Sequence, residues 1–306
     1  IIIDTYSIEG TGTIRADGGL GGPSGWYGDG GGGAGGRIRL SKRFGSVHAY
    51  GGSGQEYGGP GTVYFDLPYP ETAELIMDNH GNQGEVGGII ESEVPDISDL
   101  EMIILLGYGH LRAAGAASTF QLAQDQLIGD GTAVLAVEGT VGIPDDYSLI
   151  GATLSVEGKL EGGALDLSLD DGAGLILRAR TDLHSGAHTF GNLTILSGGQ
   201  LTLLPDNNWN SDYTDDLPCL VSAVNLANLR VESGGRITSD RRGYGSDRGP
   251  GAGGEGGLGA GGGGGGFGGE GGDSTGAGGS TYGNVYQPQS LGSGGGNSDI
   301  AGGRGG

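Results

Sequence analysis

A single cysteine, Cys219, stands among the 306 residues, so no disulfide can close within the chain. It reads as a small buried hydrophobe, with a link between subunits as the alternative. Basic residues are few: 15 Lys and Arg stand against 37 Asp and Glu, a formal net charge of −22. Such a surface lacks the basic patch that phosphate contacts require, which argues against nucleic acid and against anionic membranes. It suits solubility, self-repulsion along a filament, or divalent cations. Long apolar runs are missing as well. The best is Met102-Ile-Ile-Leu-Leu106, which has the length of a strand and falls far short of the roughly 18 residues of a membrane span. Helical periodicity is absent even between Leu111 and Gln126, where alanine and glutamine collect. The chain opens Ile1-Ile2-Ile3-Asp4, with neither initiator methionine nor signal peptide, and is expected to be a processed product or a piece of something longer.

Glycine is what the chain has in excess, 75 of 306 residues against a usual share of about 7%. It is concentrated at the ends, while the middle carries Leu, Ile and Val, and three zones follow: 1–66, 67–240 and 241–306. Within 251–272 the non-glycine residues Ala252, Glu255, Leu258, Phe267 and Glu270 fall on one three-residue phase, and only Ala260 departs from it. A helix of three residues per turn puts such side chains on one edge and leaves two edges bare, so that backbones can approach and bond to each other. The tract is therefore expected to be one packed polyglycine II helix, its triplet residues outward, spanning roughly 65–70 Å at about 3.1 Å per residue. A flexible linker is the competing reading. Ordered glycine loses so much backbone freedom that it demands dense hydrogen bonding between neighbouring segments.

The middle zone repeats a phrase: apolar-x-apolar, a glycine-bearing turn, then another apolar residue. Leu193-Thr-Ile195-Leu-Ser-Gly198-Gly199-Gln-Leu201 is one copy, Leu229-Arg-Val231-Glu-Ser-Gly234-Gly235-Arg-Ile237 a second, and Tyr6-Ser-Ile8-Glu-Gly10-Thr-Gly12-Thr-Ile14 a third. Looser copies begin at Leu135 and Leu154. The starts Leu135, Leu154, Leu175 and Leu193 lie 19, 21 and 18 residues apart. Short strands recurring at that period predict an all-β fold, a parallel β-solenoid flanked by glycine-rich modules. A β-sandwich would also show frequent short strands, but it does not need one phrase at a constant step. Residues 207–216, rich in Asn and Asp, read as a loop.

The two ends fit one another. The glycine tract stops at Gly305-Gly306 where a strand is expected, whereas Ile1-Ile2-Ile3 is a strand with no tract before it; Ala34-Gly-Gly-Arg37-Ile-Arg-Leu40 shows the uninterrupted junction. Head-to-tail assembly is predicted, with Ile1, Ile2, Ile3, Tyr6 and Ile8 of one copy adding to residues 241–306 of the next, up to Gly305 and Gly306. A covalent tandem repeat would give the same contact, and a strand folded back on its own C-terminal module would give a monomer. The series Arg242-Gly-Tyr-Gly, Gly249-Pro-Gly-Ala-Gly-Gly, Gly265-Gly-Phe-Gly-Gly and Leu291-Gly-Ser-Gly-Gly-Gly296, with Gly59-Pro-Gly-Thr-Val-Tyr-Phe65, resembles a glycine-rich module of very large repetitive secreted or surface proteins. The long tract also resembles the polyglycine II bundles of a phage tail-fibre adhesin and of glycine-rich antifreeze proteins, and the middle resembles generic β-solenoids of adhesins and secreted fibres. These likenesses imply an extracellular or cell-surface protein, and none brings catalytic residues with it.

Chemistry-bearing patterns are sparse. Pairs such as Asp170-Asp171 or Asp215-Asp216 could be set against a glycosidic bond, but 37 acidic residues guarantee such pairs by number alone. No nucleophile elbow or dinucleotide motif occurs, and the glycine tract is no phosphate cradle because no Lys-Ser/Thr follows it. The chain is accordingly not expected to be an enzyme. His184-Ser-Gly-Ala-His188 has a metal-like spacing, yet two solvent-facing histidines on a turn is the plainer reading. Asp206, Asn208, Asn210 and Asp212 alternate as in a calcium loop, without its glycine at the sixth position or glutamate at the twelfth; no cofactor is expected to be required. Asn192-Leu-Thr194 is a glycosylation sequon. Threonines are too scattered for an ice-binding array. Trp26, Tyr27, Tyr282 and Tyr286 are candidate aromatic contacts for glycans, with plugs for the ends of a glycine bundle as the alternative. The readings in order are a structural subunit of an extracellular fibre, a surface adhesin for glycans or receptors, and a polysaccharide-degrading β-helix.

Overall fold

The computed structural model describes residues 1–22, 30–68, 73–84, 88–90, 100–113, 119–161, 166–178, 187–205, 223–240, 243–257, 260–283, 286, 292–297 and 302. Among them every regular element is a strand. Among the described residues there is no helix, and so none long and apolar enough to cross a membrane. The chain divides into two compact units, one of 1–176, 189–201 and 224–236 and the other of 177–188, 202–223 and 237–306.

One large, mostly parallel sheet organises the strands. Its main path runs β1 (Ile2–Ile3), β3 (Arg37–Leu40), β5 (Thr62–Phe65), β6 (Ala73–Asp78), β8 (Leu100–Leu106), β11 (Leu127–Val137), β13 (Tyr147–Val156), β15 (Asp166–Asp170), β17 (Ala187–Ile195) and β19 (Ala223–Val231). A side branch holds β7 (Gly88–Ile90), β9 (His110–Ala113), β16 (Gly174–Arg178), β18 (Gln200–Leu204) and β20 (Arg236–Thr238). Beside it lie a parallel three-stranded sheet of β10 (Thr119–Gln121), β12 (Thr140–Gly142) and β14 (Leu160–Glu161), and the pair β2 (Ile14–Arg15) with β4 (Val47–His48). The reversal of direction between β5 and β6, where Val63 faces Ile76, departs from the all-parallel expectation.

Alternation decides which residues face the core. Strand side chains point to opposite faces in turn, and in β15 and β16 every second residue is buried. Parallel register then lines like residues up: Tyr147 with Leu167, Leu149 with Leu169, Leu167 with Leu193 and Leu169 with Ile195. Leu149, Leu169, Leu193 and Ile195 are all 0% exposed, and full burial of each such side chain contributes about 1.5–3 kcal/mol against chain entropy. A second stack joins Leu111, Leu135 and Leu154, and a third joins Phe120, Val141 and Leu160 across β10, β12 and β14.

This arrangement sorts the sequence repeats differently from their even spacing. Leu135 and Leu154 belong to the second stack, whereas Leu193 pairs with Leu167 in the first. The series from Leu135 to Leu193 therefore mixes positions on either side of a bend, because each bend asks for the same pattern of apolar residues and glycine. At the bend separating the first two stacks the glycines are left-handed, with φ of +53° at Gly107, +85° at Gly131, +62° at Gly151, +77° at Gly172, +82° at Gly198 and +89° at Gly234, a conformation that costs glycine nothing sterically.

The glycine-rich segments are held by backbone hydrogen bonds that recur every third residue. In the first unit the amides of Gly30, Gly33 and Gly36 donate to the carbonyls of Gly22, Gly19 and Ala16 at 2.9, 2.9 and 2.6 Å. In the second, Gly276, Gly279 and Tyr282 donate to Gly261, Gly264 and Phe267, while Gly263 and Gly266 donate to Gly254 and Gly251. The stretch 260–267 also bonds to 269–272 and to 293–296. Residues 251–272 are thus not the single extended helix expected from the triplet phase. The stretches 251–257, 260–267 and 269–274 run antiparallel in turn, since a lone helix of this kind has no internal partners and folding back supplies them. Glu255 and Glu270 point to solvent, as their phase predicts, but Ala252 is half-buried and so is Phe267, whose ring meets Tyr282 edge-on at 5.1 Å.

Two outcomes test these packings. A Cβ on Gly263 would lie 2.0 Å from the carbonyl oxygen of Ala277, whereas one on Gly272 meets nothing within 4 Å. Gly263→Ala is expected to destabilise its unit by about 2 kcal/mol or more, and Gly272→Ala by less than about 0.5 kcal/mol; equal melting shifts would refute the close packing. Separately, the hydroxyl of Tyr147 is buried without a partner, and burial, helped by the charge of Asp125, pushes its pKa far above the ordinary 10.0. The unfolded chain ionises this phenol first, so its contribution to stability is intact below about pH 10 and is lost as pH rises, by at most about 1.4 kcal/mol per unit. Tyr147→Phe should match or slightly exceed the parent in stability at pH 7 and show a shallower loss in denaturant titrations above pH 10.

Candidate functional site

The same phrase is buried in one strand and exposed in the next. Leu193, Ile195 and Leu201 are 0%, 0% and 2% exposed; their counterparts 36 residues on, Leu229, Val231 and Ile237, are 48%, 44% and 41% exposed. Topology supplies the reason. Strand β17 lies between β15 and β19, whereas β19 ends the path of the sheet, and among the described residues no strand lies beyond it to cover Leu229 and Val231.

Strand β1 is the opposite end. Ile2 and Ile3 pair with Arg39 and Leu40 of the same chain. The amino terminus donates to the Arg37 carbonyl at 2.7 Å, and the amides of Arg39 and Ser41 donate to the carbonyls of Ile1 and Ile3. Ile3 and Ile8 pack against a core of Ile38, Leu40, Val63 and Phe65, while Ile1, Ile2 and Tyr6 remain 52%, 75% and 95% exposed. The N-terminal strand is therefore seated on one edge by β3 of its own chain, and among the described residues no strand takes its other edge. Gly305 and Gly306 lie outside the described residues.

A groove of about 470 Å³ crosses the outer face of β13, β15, β17 and β19. Its walls come from the residues that alternate with the buried leucines: Asp166 and Ser168, Asn192 and Thr194, Asn228 and Arg230. Register sets Asp166 beside Asn192 and Ser168 beside Thr194. The Asn192 backbone and side-chain amides donate to Asp166 Oδ1 at 3.0 and 2.6 Å, and Asn228 Nδ2 donates to Asn192 Oδ1 at 2.6 Å. Ser168 Oγ donates to Ser148 Oγ at 3.0 Å, and Arg230 pairs with Glu232. Glycosylation at Asn192 would have to attach to the nitrogen that donates to Asp166.

The remaining expected residues are dispersed. Trp26 and Tyr27, and likewise Asp206, Asn208, Asn210 and Asp212, lie outside the described residues, and among those described no group of three His, Cys, Asp or Glu side chains could hold a metal ion. Tyr282 is part of the second unit's packing: its hydroxyl accepts from Ser293 at 2.8 Å, and burial raises its pKa against the lowering effect of that bond. Tyr286 is 90% exposed. His188 corrects half of the expectation of a solvent-facing pair, being 1% exposed with Nε2 3.4 Å from the Arg178 carbonyl, while His184 lies outside the described residues. The Asp170 carboxylate accepts from the Asp171 amide at a turn where Asp171 has φ of +46°. Two features escaped the sequence reading. One is the groove, whose residues are the intervening positions of the repeated phrase. The other is a stacked column in which His48 and Tyr50 lie 4.4 Å apart and Tyr50 and His80 4.9 Å apart, with Asp17 held against His48 Nδ1 at 2.8 Å; the alternation His48-Ala-Tyr50 was its only signal.

Comparison with family models, with curated proteins and with solved structures finds no match to this chain.

The Asp166–Asn192–Asn228 ladder has a measurable contribution. Asn192→Ala removes one donor to Asp166 and the acceptor of Asn228, and is expected to cost about 1–2 kcal/mol in denaturant unfolding, with Asn228→Ala near neutral because that residue is exposed at the end strand.

Proposed function

We propose that this chain is a structural subunit of an extracellular fibre, built as a parallel β-solenoid with flanking polyglycine II-type modules and joined head to tail. The observation that carries the reading is the change from complete burial of Leu193 and Ile195 to near-half exposure of Leu229 and Val231. A stack of repeats with an uncovered apolar end is a template for one more repeat. The three-residue step of the backbone hydrogen bonds supports the polyglycine II part, and the three aligned stacks of apolar residues support the solenoid.

The complementary surface is the open edge of β1 with Ile1 and Ile2. Asp4 and Glu9 follow β1, whereas Arg236 lies on β20, which follows the last strand of the path, a pairing of opposite charges that favours their meeting. The receiving surface in this reading is the uncovered row on β19, in place of residues 241–306. A contact between two different surfaces does not close on itself and propagates into a filament unless the geometry makes a ring. Tandem copies in one polypeptide would form the same contact within a chain. The acidic surface suits a soluble filament, and a single cysteine does not exclude export.

Sedimentation and electron microscopy across a concentration series test this. The intact chain is expected to show mass rising with concentration and to form filaments. Val231→Glu should abolish growth with an unchanged melting temperature, because the exposed position tolerates the charge in the monomer and the contact does not. A chain that stays monomeric at high concentration, or a Val231→Glu variant that still polymerises, would overturn the fibre reading.

A further inference from the structure

We propose that the groove across β13, β15, β17 and β19 is a binding site for a neutral, hydroxyl-rich linear ligand, a short stretch of uncharged polysaccharide. The proposal concerns the outward-facing rows of these strands, which share only Leu229 with the assembly contact, and it stands whether or not filaments form.

Four properties of the groove select this chemistry. The first is its shape, an open trough of about 470 Å³ that crosses four strands. Neighbouring strands are about 4.8 Å apart, so the polar rows on β15, β17 and β19 run for about 10 Å, longer than one monosaccharide and matched to a short stretch of an extended chain. The second is the lining. Side chains at Asp166, Ser168, Asn192, Thr194, Asn228 and Arg230 present carboxylate, hydroxyl, amide and guanidinium groups in two parallel rows, a mixture of donors and acceptors that matches groups able to do both, which hydroxyls are.

The third property is unspent hydrogen-bonding capacity. Both bonds from Asn192 enter the same oxygen, Asp166 Oδ1, so Oδ2 of that rigidly held carboxylate is left to accept from a ligand hydroxyl. The Ser168 hydroxyl spends its proton on Ser148 and keeps lone pairs for an incoming donor. These groups are fixed by the ladder before any ligand arrives, which limits the ordering cost of binding. The fourth is charge. Asp166 and Asp146 on the wall, in a chain of net charge −22, repel acidic polymers. The guanidinium at the far end is already paired with Glu232, so it offers directed hydrogen bonds more than free positive charge. A peptide strand is also a poor fit: strand addition needs a sheet edge, and this is a sheet face whose backbone groups are engaged in the β15–β17 ladder.

The test is titration of the intact chain, and of Val231→Glu as an assembly-blocked form, with neutral linear hexasaccharides of glucose, mannose and galactose, with an oligogalacturonate and with an uncharged peptide. Calorimetry or amide chemical shifts give the affinity. At least one neutral hexasaccharide is expected to bind saturably with a Kd of about a millimolar or tighter, while the acidic oligosaccharide and the peptide do not. Ser168→Leu, which fills the trough from an outward position, should weaken binding about tenfold or more, and Asn228→Ala severalfold, both with melting temperature unchanged. The second variant keeps the test decisive if the first disturbs folding. Absence of binding by every neutral hexasaccharide overturns the proposal. So does equal binding of the acidic oligosaccharide or the peptide, or an affinity that both variants leave untouched. Loss of binding on Trp26→Ala, with Ser168→Leu without effect, would move the saccharide contact elsewhere and overturn it as well.

Discussion

The need to pair backbone N–H and C=O groups governs this protein more than any side-chain contact. A quarter of the residues are glycine, which bring no apolar surface and lose the most freedom on ordering. Such a chain becomes ordered where segments lie side by side and satisfy each other's polar groups. The sheet does so with continuous parallel ladders, and the glycine-rich stretches with bonds at every third residue. In both cases partners come from another segment and not from within the stretch itself, so each stretch depends on its neighbours for order. The antiparallel folding of 251–257, 260–267 and 269–274 is the local result.

Side chains then decide which face of the sheet is dry. The period of two sends Leu149, Leu169 and Ile195 inward and Ser148, Ser168 and Thr194 outward. Parallel register turns each choice into a row, because the same position recurs in the next strand. The rule that builds the leucine stack therefore also builds the rows of Asp166, Asn192 and Asn228 across the groove. Core and groove are two faces of one alternation.

A stack built by this rule has no natural terminus. Each strand covers the previous apolar row and presents another, so the last row stays open unless something different is placed over it. In β19 the row is Leu229 and Val231, and the exposure there is the consequence. At the other end the direction change between β5 and β6 and the small core around Ile38 and Phe65 give the sheet a different finish, with Ile1 and Ile2 exposed at the edge strand. The two ends of one sheet are thus unlike, a requirement for assembly with polarity.

Much of this was legible in the sequence. The apolar-x-apolar phrases identify the strands at Leu154, Leu175, Leu193 and Leu229, and the glycines between them mark the left-handed bends, because these depend only on alternation and on steric freedom at φ above zero. The three-residue phase near residue 251 is likewise local and shows in the hydrogen-bond step. What the sequence could not settle is which segments meet. Equal spacing placed Leu193 in line with Leu175, whereas register puts it beside Leu167; the glycine tract read as one rod, yet it folds back on itself; and Ile1 to Ile3 sit on β3, which no local pattern announces. The exposure of Leu229 and Val231 was invisible for the same reason: their sequence matches that of Leu193 and Ile195. Only the position of β19 at the end of the sheet makes one phrase core and the other surface, since burial depends on having a neighbour and that neighbour is supplied by tertiary structure.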